Sequence, residues 1–239
     1  MKIKGRNAVR EALRSDANII KIMASNSSRD RVLMDIVDLA RKKGVKVQLV
    51  DARALDKECD NHQGIVAITS EFEYSTVEDI LNVARNKETN HFILILDGVE
   101  DPHNFGSIIR VAECLGVDGI IISKNRACPV TDTVAKVSAG AIEHVKIAKV
   151  TNINTEIERL KSENIWVYAC ELGGEDLDGT DLNGNIAIVM GSEGKGVSAL
   201  TKKLCDGVVS MKMYGKVNSL NVSVATGIVL YEAVRKRRN

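Results

Sequence analysis

FILILDGVEDPHNFGSIIRVAECLGVDGIIIS, residues 92–123, decides the fold. It opens on an apolar run, FILIL (92–96), with no polar alternation, and closes on another, GIIIS (119–123). Between them a polar turn leads into a helix from about Asn104 or Phe105 to Leu115. Strands that are apolar on both faces and alternate with helices belong to a parallel sheet covered on both sides. The same rhythm continues with strands expected at VKIAKV (145–150), IWVYAC (165–170), IAIVM (186–190) and GVVSMKM (207–213), with helical segments between most of them. Open sheets of this kind bind ligands beyond the C-terminal ends of their strands. That places the chemistry in three loops: DGVEDPHNFGS, GSEGKG and YGKVNSLN.

Ahead of this sheet the sequence describes a smaller α/β unit. NAVREAL places Ala8, Val9, Ala12 and Leu13 on one helical face, and NIIKIMAS reads as a strand. SSRDRVLMDIVDLARKKG is an amphipathic helix that stops at Gly44. VKVQLVD alternates as a strand, a short helical piece follows, and QGIVAIT is a further strand. The expected organisation is a domain at 1–72, a linker at 73–91 that carries a helix across, and a second domain at 92–239.

The totals exclude several classes. Of the 239 residues, 44% are hydrophobic and only two are proline, enough apolar content for one or two cores with no long disordered tract. No apolar run reaches the roughly 18 residues of a membrane span. The N-terminus MKIKGRNAVREAL turns charged at once, so a cytoplasmic protein is expected. Five cysteines (Cys59, Cys114, Cys128, Cys170, Cys205) are scattered without a CxxC, which suits reduced thiols. Four histidines (His62, His91, His103, His144) form no ligand-spaced pair, so no metal is expected. The net charge of +1 conceals an asymmetry: residues 1–60 hold 14 Lys+Arg against 9 Asp+Glu, and the remainder 19 against 23. A basic leading unit suits a polyanionic partner, although a +5 balance also suits an ordinary solvated surface.

Each loop carries polar residues in a telling place. Asn104 is either the N-cap of its helix or a site residue. Arg110 stands among Ile108, Ile109, Val111 and Ala112, so its guanidinium needs a partner or must reach outward; a salt bridge and a phosphate or ribose contact are equally open. VMGSEGKGV is neither GxGxxG nor a P-loop, yet its glycines let backbone groups approach a ligand closely. Glu193 in that loop is a solvated turn residue or a partner for Arg110. Asn218, Ser219, Asn221 and Ser223 crowd the start of a helix from about Leu220 to Val234. One side chain is enough for a cap, and the surplus points to a site that orients a polar substrate.

Together DPHNFGSIIR, VMGSEGKGV and GKVNSLNVSVATGIVLYE resemble the three motifs of the SpoU (TrmH-type) RNA 2′-O-ribose methyltransferases, in order and spacing, over residues 92–239. GRNAVREAL and HQGIVA in the leading unit resemble the substrate-binding domain, related to the L30e/L7Ae ribosomal proteins, of the RlmB-like branch. That branch methylates a guanosine in 23S ribosomal RNA. The resemblance implies a deep trefoil knot at the C-terminal end, which runs against the general rule that sheets are unknotted. It further implies S-adenosylmethionine as cofactor, ribosomal RNA as partner, and a homodimer with sites near the subunit interface, to which helices at about 105–115 and 220–234 could contribute. Arg110 would meet the ribose or its phosphate, with Asn104, Glu193, Ser219 and Asn221 orienting them. Gly191, Met211, Leu220 and Ser219 would hold the cofactor. One departure stands out: Met211, Lys212 and Met213 occupy the places of the family's usual Ile-Pro-Met. A tRNA ribose methyltransferase and a ribosomal-RNA resistance enzyme are the alternatives within the class. Outside it stand a nucleotide-binding oxidoreductase, which lacks its GxGxxG here, and a non-catalytic RNA-binding protein.

Overall fold

The computed structural model describes residues 2–14, 19–26, 30–69, 72–216 and 219–237. It divides into two units, Met1–Glu73 and Tyr74–Asn239. The first runs β1 (Lys2–Lys4), α1 (Arg6–Arg14), β2 (Ile19–Ser25), α2 (Arg31–Lys42), β3 (Lys46–Val50), α3 (Ala52–Asp56) and β4 (Ile65–Thr69). Its four strands form a mixed sheet in the order β1-β4-β2-β3, with β2 and β3 parallel and β4 antiparallel to its neighbours. The Asp30 carboxylate accepts the Val32 N–H at 2.9 Å and starts α2, and Gly44 at φ 73° lets the chain leave it. Val9, Leu13, Leu33, Ile36 and Val37 of the helices close on Ile22, Ala24, Ile65 and Ala67 of the sheet. Ala8, expected on the buried face, is exposed. The buried stripe centres on Val9, about 100° further around the helix. Strand β1 is too short to show a period, and the sequence reading passes over it.

The second unit contains α4 (Val77–Lys87), β5 (Phe92–Asp97), α5 (Pro102–Cys114), β6 (Gly119–Ser123), α6 (Asp132–Val137), β7 (Lys146–Val150) and α7 (Ile153–Ser162). It continues with β8 (Trp166–Asp176), β9 (Ile186–Gly191), α8 (Ala199–Leu204), β10 (Gly207–Ser210) and α9 (Val222–Arg237). Six strands form one parallel sheet in the order β10-β8-β9-β5-β6-β7. On one face Val77, Ile80 and Leu81 of α4 and Ile153, Ile157 and Leu160 of α7 cover Ile93, Ile95, Ile121, Val167 and Val189. On the other, α5 packs against α6 and α9. The segment read as a linker therefore carries a core helix. Thr76 and Asp79 start α4 with a reciprocal capping box, and its Val77, Ile80, Leu81 and Ala84 are buried.

Two strand ends depart from the apolar pattern. Strand β8 runs past Cys170 to Asp176, and β10 stops at Ser210 instead of continuing to Met213. The cause is a register shift between Val208 and Val209, where pairing jumps from Ala169 to Glu175. Beyond Ser210, Lys212 turns to form an ion pair with Asp176. Lys212 stands where the family's proline would, so a charge pair holds this turn in place of a fixed φ. The pairing holds the Asp176 carboxyl below the usual carboxylate range and raises the Lys212 ammonium.

Candidate active site

The sheet order leaves β5 between β6, the strand that follows it, and β9, which arrives much later in the chain. At this crossing point the loops after β5 and β9 diverge from a common edge, the position where open parallel sheets take ligands. The three polar segments of the sequence meet here.

Asn104 is released for this site by its neighbours. The Asp101 carboxylate accepts the Asn104 N–H at 2.7 Å, and Pro102 occupies the first helical position, so Asp101 is the N-cap of α5. The helix thus starts two residues before the expected Asn104. Since Asp101 already satisfies the backbone, the Asn104 side chain is free to face the glycine loop.

That loop is closed on itself. Ser192 and Gly196 exchange backbone hydrogen bonds of 3.2 and 2.9 Å, leaving Glu193 on the turn between them. A side chain on Gly191 would meet the Gly196 carbonyl carbon at 2.0 Å. This glycine therefore admits the returning loop. Gly196 has φ +65°, and a β-carbon there would lie 2.2 Å from a carboxylate oxygen of Glu171. The same carboxylate accepts the Val197 N–H at 2.9 Å and lies 3.6 Å from the Lys202 ammonium, propping the loop from behind. Glu171 escaped the sequence reading because it comes from β8, with no local pattern tying it to the loop.

Glu193 gathers the three motifs at a single oxygen. Its Oε1 accepts hydrogen bonds from Asn221 Nδ2 at 2.7 Å, from Asn104 Nδ2 at 3.3 Å and from the Val222 N–H at 3.2 Å. Asn221 Nδ2 also donates to Asn104 Oδ1 at 2.8 Å. The other end of the Asn221 amide caps α9: its Oδ1 accepts from the Ser223 N–H at 3.0 Å, the Ser223 hydroxyl at 2.6 Å and the Val224 N–H at 3.4 Å. One amide thus caps α9 with its oxygen and joins Glu193 and Asn104 with its nitrogen. Glu193 in turn places negative charge at the N-terminus of α9, where the helix dipole favours it.

The remaining predicted residues lie outside this network. Arg110 is exposed on α5 and, among the described residues, has no ion pair. It is six residues beyond Asn104, about 9 Å along the helix and rotated by about 120°, so it does not share that face. Glu193, the partner proposed for it, is bonded elsewhere. Ser219 is exposed just ahead of α9 and Leu220 is 40% exposed beside it; Asn218 lies outside the described residues. Met211 follows β10 and lines an open groove of about 600 Å³ with Leu177, Val224 and Ile228. Asp176, Asp178 and Glu232 also line the groove, and these carboxylates pair with Lys212 and Arg235. Burial pushes the Cys170 thiol up to about 11 and the Cys205 thiol to about 12, so neither is a ready thiolate. Among the described residues no group of His, Cys, Asp and Glu is placed to hold a metal ion, and no helix is long and apolar enough to cross a membrane.

A parallel α/β sheet with a carboxylate–amide network at its crossing point is a scaffold that takes a polar ligand at that edge. The chain belongs to the SpoU rRNA methylase family, which it matches over residues 91–231, and is an RNA methyltransferase. Residues 2–75 match the family's domain for RNA 2′-O ribose methyltransferase substrate binding. The chain is 44% identical over 236 residues to YacO of Bacillus subtilis, assigned to the TrmH family of tRNA/rRNA methyltransferases, covering 98% of this chain and 94% of that one. A Staphylococcus aureus relative of the same assignment is 41% identical over 239 residues, covering 99% and 96%. The fold is shared with the SpoU methyltransferase AviRb from Streptomyces viridochromogenes, solved in complex with AdoMet, at a TM-score of 0.76 and 21% identity over 99% and 90% of the two chains. The A. aeolicus TrmH/SpoU tRNA modifying enzyme matches at a TM-score of 0.58 and 28% identity, over 66% of this chain and 83% of its own.

Proposed function

We propose that this protein transfers a methyl group from S-adenosylmethionine to a ribose 2′-hydroxyl of RNA, with a guanosine of 23S ribosomal RNA as target. The observation that carries the reading is the single Glu193 oxygen that ties Asn104, Asn221 and the start of α9 together. The cofactor supplies a methyl group on a sulfonium, an already activated donor. What the chain must provide is position and charge for a poor nucleophile. Glu193, Asn104 and Asn221 form a rigid polar floor against which the ribose is oriented, with Ser219 beside it. Arg110, unpaired among the described residues and turned away from the Glu193 network of its own subunit, would meet the ribose or its phosphate across the proposed dimer interface. A guanidinium with a pKa above about 12 is a poor base, so its role is to stabilise the charge that develops on the 2′-oxygen. The hydroxyl proton leaves toward RNA phosphate or water as the new carbon–oxygen bond forms and the carbon–sulfur bond breaks.

Met211 directly follows β10, at the C-terminal edge of the sheet where a ligand is taken. Backbone groups at Gly191, Met211 and Leu220 would hold the cofactor, in the knotted C-terminal segment that membership of this family supports. The α9 face carrying Val224, Ile228 and Tyr231 is 51%, 45% and 63% exposed. An apolar stripe at this helical spacing supports a homodimer closed over α9. The basic leading unit carries the RNA, and the protein acts in the cytoplasm, where that RNA is made.

The test is methyl transfer from tritiated S-adenosylmethionine to unmodified 23S ribosomal RNA and tRNA transcripts, with the labelled nucleotide mapped. Label at a ribose of a 23S guanosine is expected. Label on tRNA alone would move the target, and no label on either would remove both as targets.

A further inference from the structure

Over the end of β5 lies a second cleft, of about 390 Å³, and its charges are unevenly engaged. Three of its carboxylates are spent on the protein's own N–H groups: Asp97 accepts from Ser198 at 3.0 Å, Asp101 from Asn104 at 2.7 Å, and Glu193 from Asn104, Asn221 and Val222. Two cations that line the same cleft, Arg126 and Lys195, have no hydrogen bond or ion pair with any described residue. The hydrogen-bonded carboxylates keep their charge, as does Glu100 exposed at the lip, so Arg126 and Lys195 are the lining residues whose charge attracts an anion.

The two cations come from opposite sides. Arg126 ends the turn after β6, and Lys195 tops the loop after β9. These strands flank β5 and so lie about 10 Å apart at a strand spacing of about 4.8 Å. Both are held by unusual backbone. Arg126 has φ 56°, rare for a residue with a side chain. Its turn is fixed by the Ser123 hydroxyl, which accepts the Asn125 N–H at 3.1 Å, and by the Cys128 N–H, which donates to the Val99 carbonyl at 2.9 Å. Lys195 stands between Gly194 and Gly196, at φ +80° and +65°, within the closed Ser192–Gly196 turn. Such conformations persist where the surroundings enforce them, and they cluster at ligand clamps.

We infer that Arg126 and Lys195 clasp the two RNA phosphates on either side of the target ribose, holding the strand across the cleft while the Glu193 network orients the sugar. The inference rests on the proposed RNA ribose methylation and adds to it the binding subsite for the backbone. Arginine engages a phosphate through two parallel N–H donors and lysine as a point charge, so the pair grips the strand without reading a base.

The experiment uses full-length Arg126→Gln, Lys195→Gln and the double variant, with a 23S ribosomal RNA transcript as substrate. Both positions are exposed, so folding is checked by the thermal midpoint alone. Each single change should raise KM for RNA by about tenfold, with turnover at saturating RNA falling less than KM rises, and calorimetric affinity for S-adenosylmethionine unmoved. The slope of log K against log salt should flatten by about 0.7 per lost contact. Arg126→Lys should restore part of the loss. A double variant with wild-type KM and salt slope would overturn the inference, as would a loss confined to turnover. Failure of the wild type itself to methylate or bind RNA would instead strike the proposed function.

Discussion

Asn221 offers the sharpest separation of structure from chemistry, because its two amide atoms have different duties. Its Oδ1 caps α9, and its Nδ2 joins Glu193 at 2.7 Å and Asn104 at 2.8 Å. Asn221→Ala deletes both duties. The lost cap costs about 0.5–2 kcal/mol of stability. Asn221→Asp keeps an oxygen in the capping position, where a negative charge at a helix N-terminus contributes about 0.3–1 kcal/mol in favour. What it removes is the donor, replaced by a second carboxylate facing Glu193. A hydrogen bond to a charged group is worth about 1.5–3 kcal/mol, which, lost from the transition state, lowers turnover by about 10- to 150-fold. Asn221→Asp should therefore keep its cap but, through repulsion by Glu193, melt below the wild type at pH 8 and turn over poorly there. Two carboxylates at this separation share a proton above the ordinary carboxylate range, and the protonated one can donate again. Turnover of Asn221→Asp, relative to wild type, should accordingly recover as pH falls from 8 toward 5. Methyl transfer per folded chain across pH, beside the thermal midpoint, is the measurement. Wild-type turnover at pH 8 in Asn221→Asp, or in a merely destabilised Asn221→Ala, would reduce Asn221 to a cap.

Arg110→Ala should cut methyl transfer by about 10²-fold or more, while leaving calorimetric affinity for S-adenosylmethionine within a few-fold and stability within about 0.5 kcal/mol, as befits an exposed side chain; retained turnover would remove Arg110 from the mechanism. Gly196→Ala forces a β-carbon into the left-handed region and against Glu171, so a stability loss of about 1–3 kcal/mol and a fall in turnover are expected in chemical denaturation and activity assays; an unaltered midpoint would show that the loop yields. If the proposed homodimer closes over α9, Ile228→Asp, which places a charge on the exposed stripe, should turn a dimeric wild type into a folded monomer in analytical ultracentrifugation; an intact variant dimer would locate the interface elsewhere, and a monomeric wild type would remove the dimer. His91 is buried, its Nδ1 has no hydrogen-bond partner among the described residues, and burial lowers its pKa below the ordinary 6.5. Its neutral form is favoured by folding, so stability is full above about pH 6.5 and declines as pH drops toward the depressed value; His91→Gln should flatten that stretch of the midpoint–pH curve, and an unchanged curve would assign the acid sensitivity to other groups.

The parallel sheet was legible because burial on both faces leaves no choice of residue: Phe92–Leu96, Gly119–Ile122 and Ile186–Met190 could only be apolar. The site segments were legible for the converse reason, since Asn104, Glu193 and Asn221 are polar groups at strand ends and helix starts, with more hydrogen-bonding capacity than local structure needs. Local chemistry also misled. Asn104 looks like a cap until Asp101 and Pro102 are seen to have taken that role, and the DP pair was the available signal. Segment 73–91 looks like a linker because its polar face dominates, while burial of Val77, Ile80, Leu81 and Ala84 depends on strands far along the chain. Only the tertiary structure could decide that a single Glu193 oxygen joins residues 104, 221 and 222, that Glu171 props the glycine loop, that Arg110 stands outside the network, and that Arg126 and Lys195 face one cleft. Periodicity records how each residue meets its own helix or strand. Hydrogen bonds between loops depend on strand order and register, which hydrophobic pattern leaves open.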